Sequence, residues 1–207
     1  MTLAEQYRRV LFGWDRAEEA VYPDPARGDI AVSAKVGDIL AALVLIHQPD
    51  LIVEVGSLKG YSATRMATAM QPDSSIICLE IDARSASATR DALTPLVGQR
   101  ATVIEADACT ALSGIELTGR TFVFLDGAKR EYPDYLDAVA DRLAIGDVLV
   151  ADDALAPVRG TYDDEPGGHD AARAGMYQYA RRIVADARYH STLTTSGFGL
   201  LISRRIA

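Results

Sequence analysis

The sequence lacks most of the features that would announce a specialised class. It has only two cysteines among 207 residues, Cys78 and Cys109, and their spacing fits no metal or redox motif. A disulfide scaffold is therefore excluded, and two buried free thiols are expected. No apolar run approaches the roughly 18–20 residues of a membrane helix, the longest candidate being Ile39 to Ile46. The opening MTLAEQYRRV carries charges and no apolar stretch, which is not the pattern of a signal peptide. A cytoplasmic protein with no membrane partner is expected. Positive charge is scarce as well, with 21 Lys and Arg against 29 Asp and Glu, a formal net charge of −8. Proteins that grip nucleic acid usually present a basic face to the phosphates. Here Arg181-Arg182 and Arg204-Arg205 are only pairs, so nucleic acid is not expected as a partner.

What remains is ordinary globular composition, 49% hydrophobic and 24% charged, with no repeat and no low-complexity tract. The length suits one domain over residues 1–207. Residues 1–48 read as N-terminal helices. The first is amphipathic through Leu3, Tyr7, Val10 and Leu11 and stops at Tyr22-Pro23-Asp24-Pro25; the second is capped by Ser33 and runs to about His47.

Residues 49–207 read as an α/β core. Short apolar runs predict strands at 51–55, 75–80, 101–105, 121–126 and 147–152, and helices follow to Met70, over 85–96 and over 132–143. The polar, Gly- and Pro-rich stretch 154–170 reads as a lid. A helix to about Asp186 and two strands, 189–194 and 198–203, close the chain, paired antiparallel through Thr195-Ser196-Gly197. Strand–helix repeats give right-handed crossovers and a mostly parallel sheet covered on both faces. Such sheets bind ligands beyond the carboxyl ends of their strands.

The strand ends carry the polar residues. The first runs into Glu54-Val-Gly56-Ser-Leu-Lys-Gly60-Tyr-Ser62, a Gly-x-x-x-Gly turn that is neither a dinucleotide fingerprint nor a phosphate loop. Glu54 is placed to meet an ammonium group. Glu80, ending the second strand, suits ribose hydroxyls, and Asp107, after the third, suits an adenine amino group. Each acid taken singly reads more often as a solvated strand end or a helix cap; together behind that turn they read as a nucleoside site. Asp126, Asp152 and Asp153 follow the fourth and fifth strands. If all three converge, their repulsion calls for a hard cation such as Mg²⁺; alternatively Asp152-Asp153 caps the next loop. Lys129 shares that rim, and a dication in a partly dry site would disfavour its charge and suit it to act as a base.

These residues resemble catechol O-methyltransferase and its bacterial and plant caffeoyl-CoA relatives. The likeness runs from about Val32 to Ile202 and is carried by the segments 49–67, 122–132 and 146–155. It implies a Rossmann-like class I methyltransferase fold with seven strands, the last antiparallel. It implies S-adenosylmethionine (SAM) as cofactor, held by Glu54, Gly56, Ser62, Glu80 and Ala108, with Val32 on the entry segment and Asp126 shared with the metal site. Asp126, Asp152 and Asp153 would ligate Mg²⁺ or another divalent cation, and Lys129 would take the acceptor's hydroxyl proton. The expected activity is metal-dependent methyl transfer to a catechol-like or other vicinal-oxygen small molecule; the alternative is a methyltransferase acting on tRNA or on a non-catechol natural product. A homodimer is expected. The family usually carries Asn where this chain has Asp153. Two other classes fit less well: a nicotinamide oxidoreductase by its glycine spacing, and a non-catalytic nucleoside module by the intact acids and Lys129.

Overall fold

The computed structural model describes residues 32–155, Val158 and 169–207. The helix expected over the first twenty residues, its Pro-rich stop and most of the proposed lid lie outside the described residues. Val32, at the proposed cofactor entry, is partly buried against the core beside the first described helix.

That helix, α1 (Ala34–His47), begins at Ser33, whose side chain accepts from the Val36 N–H. There follow β1 (Leu51–Val55), α2 (Tyr61–Ala67), β2 (Ser75–Glu80), α3 (Ala83–Val97), β3 (Ala101–Glu105), α4 (Ala108–Ala111) and β4 (Thr121–Leu125). The chain continues through α5 (Tyr132–Val139), β5 (Val148–Ala151), α6 (His169–Ala185), β6 (Tyr189–Leu193) and β7 (Leu201–Arg205). The strands form one seven-stranded sheet in the order β3-β2-β1-β4-β5-β7-β6. β1 to β5 are parallel to one another, and β7 runs antiparallel to both β5 and β6. This is the expected doubly wound arrangement.

Alternation along the strands divides the core in two. Leu51, Val53, Val55, Val123, Leu125 and Leu149 face the layer containing α5 and α6. Ile52, Phe122, Phe124 and Val150 face the layer of α1 and α2. Glu54 belongs by parity to this second, apolar face.

Some boundaries differ from the sequence reading. β7 begins at Leu201 rather than 198, because Gly197 and Gly199 both adopt positive φ and a turn closes with Gly199 N–H donating to Ser196 C=O. α2 stops at Ala67 and α5 at Val139, each short of its expected end. No helix among the described residues is long and apolar enough to cross a membrane.

Candidate active site

Register builds the site. Val55 is opposite Leu79 on one side and Leu125 on the other, and Leu125 is opposite Ala151. The residues that follow these partners are Gly56, Glu80, Asp126 and Asp152, so they fall in one row along the carboxyl edge of the sheet. Backbone bonds extend the ladder into that row: Gly56 N–H to Leu79 C=O at 2.9 Å, Asp126 N–H to Val55 C=O at 2.8 Å and Asp152 N–H to Leu125 C=O at 3.0 Å. Neighbouring strands lie about 4.8 Å apart, so side chains in such a row can act together.

Gly56 divides the row. It has φ +82, and a Cβ there would stand 2.6 Å from the Asp126 carbonyl oxygen, so only glycine fits. On one side lie Glu54 and Glu80, the acids assigned from the sequence to a nucleoside. Glu54 is fully buried; Ser62 Oγ donates to its Oε1, and the Cys78 thiol lies 3.4 Å from its Oε2. Burial pushes the Glu54 carboxyl up to about 8, against the opposing pull of those two hydrogen bonds. Glu80 is oriented by two backbone donors, Leu58 N–H at 2.7 Å and Asp82 N–H at 3.0 Å. A carboxylate has about four lone-pair sites, so Glu80 keeps capacity for further donors.

On the other side, carboxylate oxygens of Asp126, Asp152 and Asp153 lie within 4.8 Å of one another. Asp152 is buried, and its Oδ1 has no hydrogen-bond partner among the described residues. Burial first, then Asp126 and Asp153, hold the Asp152 carboxyl well above the usual range. Asp153 sits at φ +60, a left-handed conformation that Asp and Asn tolerate better than most residues. An orphaned buried oxygen among converging hard ligands fits a divalent cation.

Lys129 closes this half. It is buried, with Nζ 2.9 Å from Asp126 Oδ1, 3.1 Å from Asp153 Oδ2 and 3.1 Å from the Tyr132 hydroxyl. Burial alone would lower its pKa, but Asp126, Tyr132, Asp153 and Asp152 outweigh it and hold the ammonium above the ordinary lysine value. The sequence reading had Lys129 with its charge disfavoured beside a dication; the carboxylates by themselves act in the opposite sense.

The O-methyltransferase family model matches residues 17–206. The chain belongs to the O-methyltransferase family. A Mycobacterium tuberculosis chain named as a probable O-methyltransferase is 27% identical over 177 residues, covering 84% of this chain and 78% of that one. The tapetum-specific methyltransferase 1 of Arabidopsis thaliana is 24% identical over 173 residues, covering 81% and 74%. Among solved structures, an O-methyltransferase from Bacillus cereus in complex with SAH superposes with a TM-score of 0.78 at 21% identity, covering 99% of this chain and 97% of that one. TomG of Streptomyces achromogenes, involved in tomaymycin synthesis and solved with SAM, superposes with a TM-score of 0.78 at 23% identity, each chain fully covered.

Two expected residues of this O-methyltransferase have a different local setting. Asp107 is exposed and caps α4, its Oδ1 accepting from Cys109 N–H at 2.9 Å, so part of its carboxylate serves the helix start. The following Ala108 is buried. Cys109 is only partly buried, which corrects the expectation of two buried thiols; Cys78 is buried as expected. Burial, with Glu131 and Asp107 nearby, pushes the Cys109 thiol up to about 12.

Three contributors escaped the sequence reading. Tyr132, fully buried, donates to Leu125 C=O at 2.8 Å while facing Lys129 Nζ, and so ties the lysine to the end of β4. Its signal was present in the 122–132 segment but read only as a helix start. Thr89 anchors the glycine turn from α3, as described below. Gly175 on α6 lies against the Lys129–Arg130 backbone, where a Cβ would overlap the Lys129 carbonyl oxygen. Gly175→Ala is therefore expected to shift either α6 or Lys129, lowering kcat about tenfold with SAH affinity unchanged, since a misplacement of about 1 Å can cost up to 10²-fold. Steady-state kinetics beside calorimetry with SAH checks this; unaltered kcat would mean that the contact does not fix Lys129.

Proposed function

We propose that this O-methyltransferase moves the methyl group of SAM to a hydroxyl of a small molecule bearing two neighbouring oxygens, with a divalent cation held by Asp126, Asp152 and Asp153. The observation that carries this reading is the cluster of three carboxylates with a buried, unpartnered Asp152 oxygen and Lys129 on its rim. The SAH and SAM named for the B. cereus and S. achromogenes structures support SAM as the methyl donor.

In this mechanism SAM supplies an electrophilic methyl group, and the cation supplies a Lewis acid that lowers the pKa of the acceptor hydroxyl. Glu54 meets the ammonium of the methionine part, with Ser62 Oγ keeping its carboxyl in place. Glu80, already oriented by Leu58 and Asp82, accepts from the ribose hydroxyls. Gly56 lets the cofactor approach the backbone between the two halves. Lys129 Nζ stands beside Asp126 and Asp153; with their charge met by a cation it would release its own proton to solvent and, as the neutral amine, take the acceptor's proton. The Tyr132 hydroxyl keeps Nζ from turning away. Positioning and charge stabilisation carry the rate, because the protein forms no covalent bond to the substrate. Asp153, standing where the family usually has Asn, makes the cluster one charge more negative and favours tighter cation binding.

The deciding experiment is a methyl-transfer screen over catechols, caffeoyl thioesters, hydroxylated polyketides and tRNA, before and after exhaustive chelation. Transfer to a vicinal-oxygen acceptor, lost on chelation and restored by Mg²⁺ or Mn²⁺, is expected. Full activity in the chelated enzyme would overturn the cation's role, and turnover confined to tRNA would overturn the substrate class.

A further inference from the structure

The glycine turn after β1 contains a residue that would not choose its own conformation. Leu58 has φ +47, in the left-handed region where a side chain with a Cβ is strained. The turn is closed by Gly60 N–H donating to Ser57 C=O at 2.7 Å. The Leu58 N–H is taken by Glu80 Oε2 at 2.7 Å, and the Leu58 carbonyl accepts from Thr89 Oγ1 at 3.0 Å. Leu58 is thus gripped through its N–H and through its carbonyl, from β2 and from α3.

Thr89 is an unusual donor. Helical threonines commonly bond back to the carbonyl one turn earlier; Thr94 on the same helix does this, to Arg90 C=O at 2.7 Å. The Thr89 hydroxyl instead crosses to a residue 31 positions away, and it is fully buried. Its single hydrogen goes to Leu58 C=O, so the buried Ser57 hydroxyl, 3.1 Å away, donates to it in turn. Ser57, Thr89 and Leu58 C=O form a directed chain, and Glu80 is linked to its far end through the Leu58 N–H.

We infer that Thr89 is a positioning residue for the cofactor: it holds the Leu58 peptide in its strained conformation, and so keeps the turn and the Glu80 carboxylate in the geometry that accepts SAM. This rests on the reading that the turn and Glu80 hold the cofactor. Strain at a binding turn persists only when surrounding contacts over-determine it, and Thr89 supplies the contact at the carbonyl end. Without its hydroxyl, the Leu58 carbonyl is left unpaired and the turn relaxes towards a conformation in which Glu80 is no longer aligned.

Thr89→Val keeps the shape and removes the hydroxyl. It is expected to weaken SAH binding on the order of tenfold, about 1.4 kcal/mol. Thr89→Ser keeps the hydroxyl and loses a buried methyl, so its Tm falls while its SAH affinity stays within about threefold of the parent. Affinity would then follow the hydroxyl rather than stability. The comparison is made by calorimetry with SAH well below every Tm, with Glu80→Ala as the reference. If Glu80→Ala weakens SAH and Thr89→Val does not, the inference falls and the cofactor site stands. An equal loss in the Ser and Val variants would reduce Thr89 to a packing residue and overturn the inference. Affinity unchanged in both Glu80→Ala and Thr89→Val removes the cofactor reading of the turn, and the inference with it.

Discussion

Asp152→Asn is expected to cost at least about 100-fold in methyl transfer while making the protein more stable in the presence of a chelator. Both effects follow from one carboxylate. A Lewis acid is worth several kcal/mol in this kind of reaction, and about 2.7 kcal/mol is already 100-fold in rate. Asp152 is the most buried of the three acids, and its Oδ1 has no other partner among the described residues. The same isolation makes its charge unfavourable, because burial, Asp126 and Asp153 all hold its pKa above the ordinary value.

The sign of the stability effect follows from that shift. The folded state holds this proton more tightly than the unfolded chain, so the Asp152 contribution is fully present in acid. It is lost as pH rises from the unfolded value of about 3.9 towards the folded one. At neutral pH the native protein therefore carries a penalty that an amide does not. The variant's Tm in chelator should exceed the parent's, with a flatter decline above pH 4. Thermal melts across pH, beside activity assays with Mg²⁺, measure both. A variant that melts lower than the parent would refute the crowded-carboxylate account, and one with full activity would remove Asp152 from the cation site.

Cofactor affinity should rise steeply between pH 6 and pH 8, because Glu54 must lose a proton to meet an ammonium group. Burial lifts its carboxyl to about 8, so in the absence of a ligand it is largely neutral at pH 7. Pairing with the cofactor's ammonium requires the carboxylate, so binding releases close to one proton. Affinity should then climb by close to tenfold from pH 6 to pH 7 and more slowly above, roughly 20-fold across this range. The climb ends near pH 8, where an α-amino group, with a pKa of about 7.7–8.0, begins to lose its own proton. The raised value also makes the ligand-free protein lose the Glu54 contribution to stability as pH rises from the ordinary value of 4.5 to about 8. Calorimetry with SAH, in buffers of different ionisation enthalpy, counts the released proton directly. A flat affinity with no proton release would take Glu54 out of contact with the ammonium, and Glu54→Gln should bind weakly and without the climb between pH 6 and pH 8.

Much of this site could be read from the chain because parallel strands write their function at their ends. Leu51 to Val55 and Thr121 to Leu125 are buried along their whole length, so Glu54 within the first and Asp126 just after the second stand out against apolar surroundings. The glycine spacing after Val55 separated this turn from a phosphate loop. Less legible was whatever depends on contact between distant elements. Nothing in the local sequence of α3 distinguishes Thr89 from Thr94, and only the approach of the glycine turn does so. Gly175 reads as an unfavourable residue inside a helix until α6 is seen against the Lys129 backbone. The charge of Lys129 depends on how many carboxylates surround it, which spacing alone does not give. At Asp107 a purely local effect, the capping of α4, takes part of the side chain, so both readings of that acid, helix cap and ligand partner, share one carboxylate.

The position of β7 between β5 and β6 has a consequence for biosynthesis. Chains emerge at about 5–20 residues per second, and a domain folds as a unit, so its sheet is complete only when its last strand is available. β6 leaves the ribosome before β7 but has no neighbour in the sheet until β7 arrives. Over the same interval β5, buried along its whole length in the finished protein, presents an open apolar edge with Asp152 and Asp153 at its end. Such edges recruit other chains. From the synthesis of Ala151 to that of Leu201, the strand that ends in the carboxylates assigned to the cation therefore lacks its outer partner, and its edge is open to other chains.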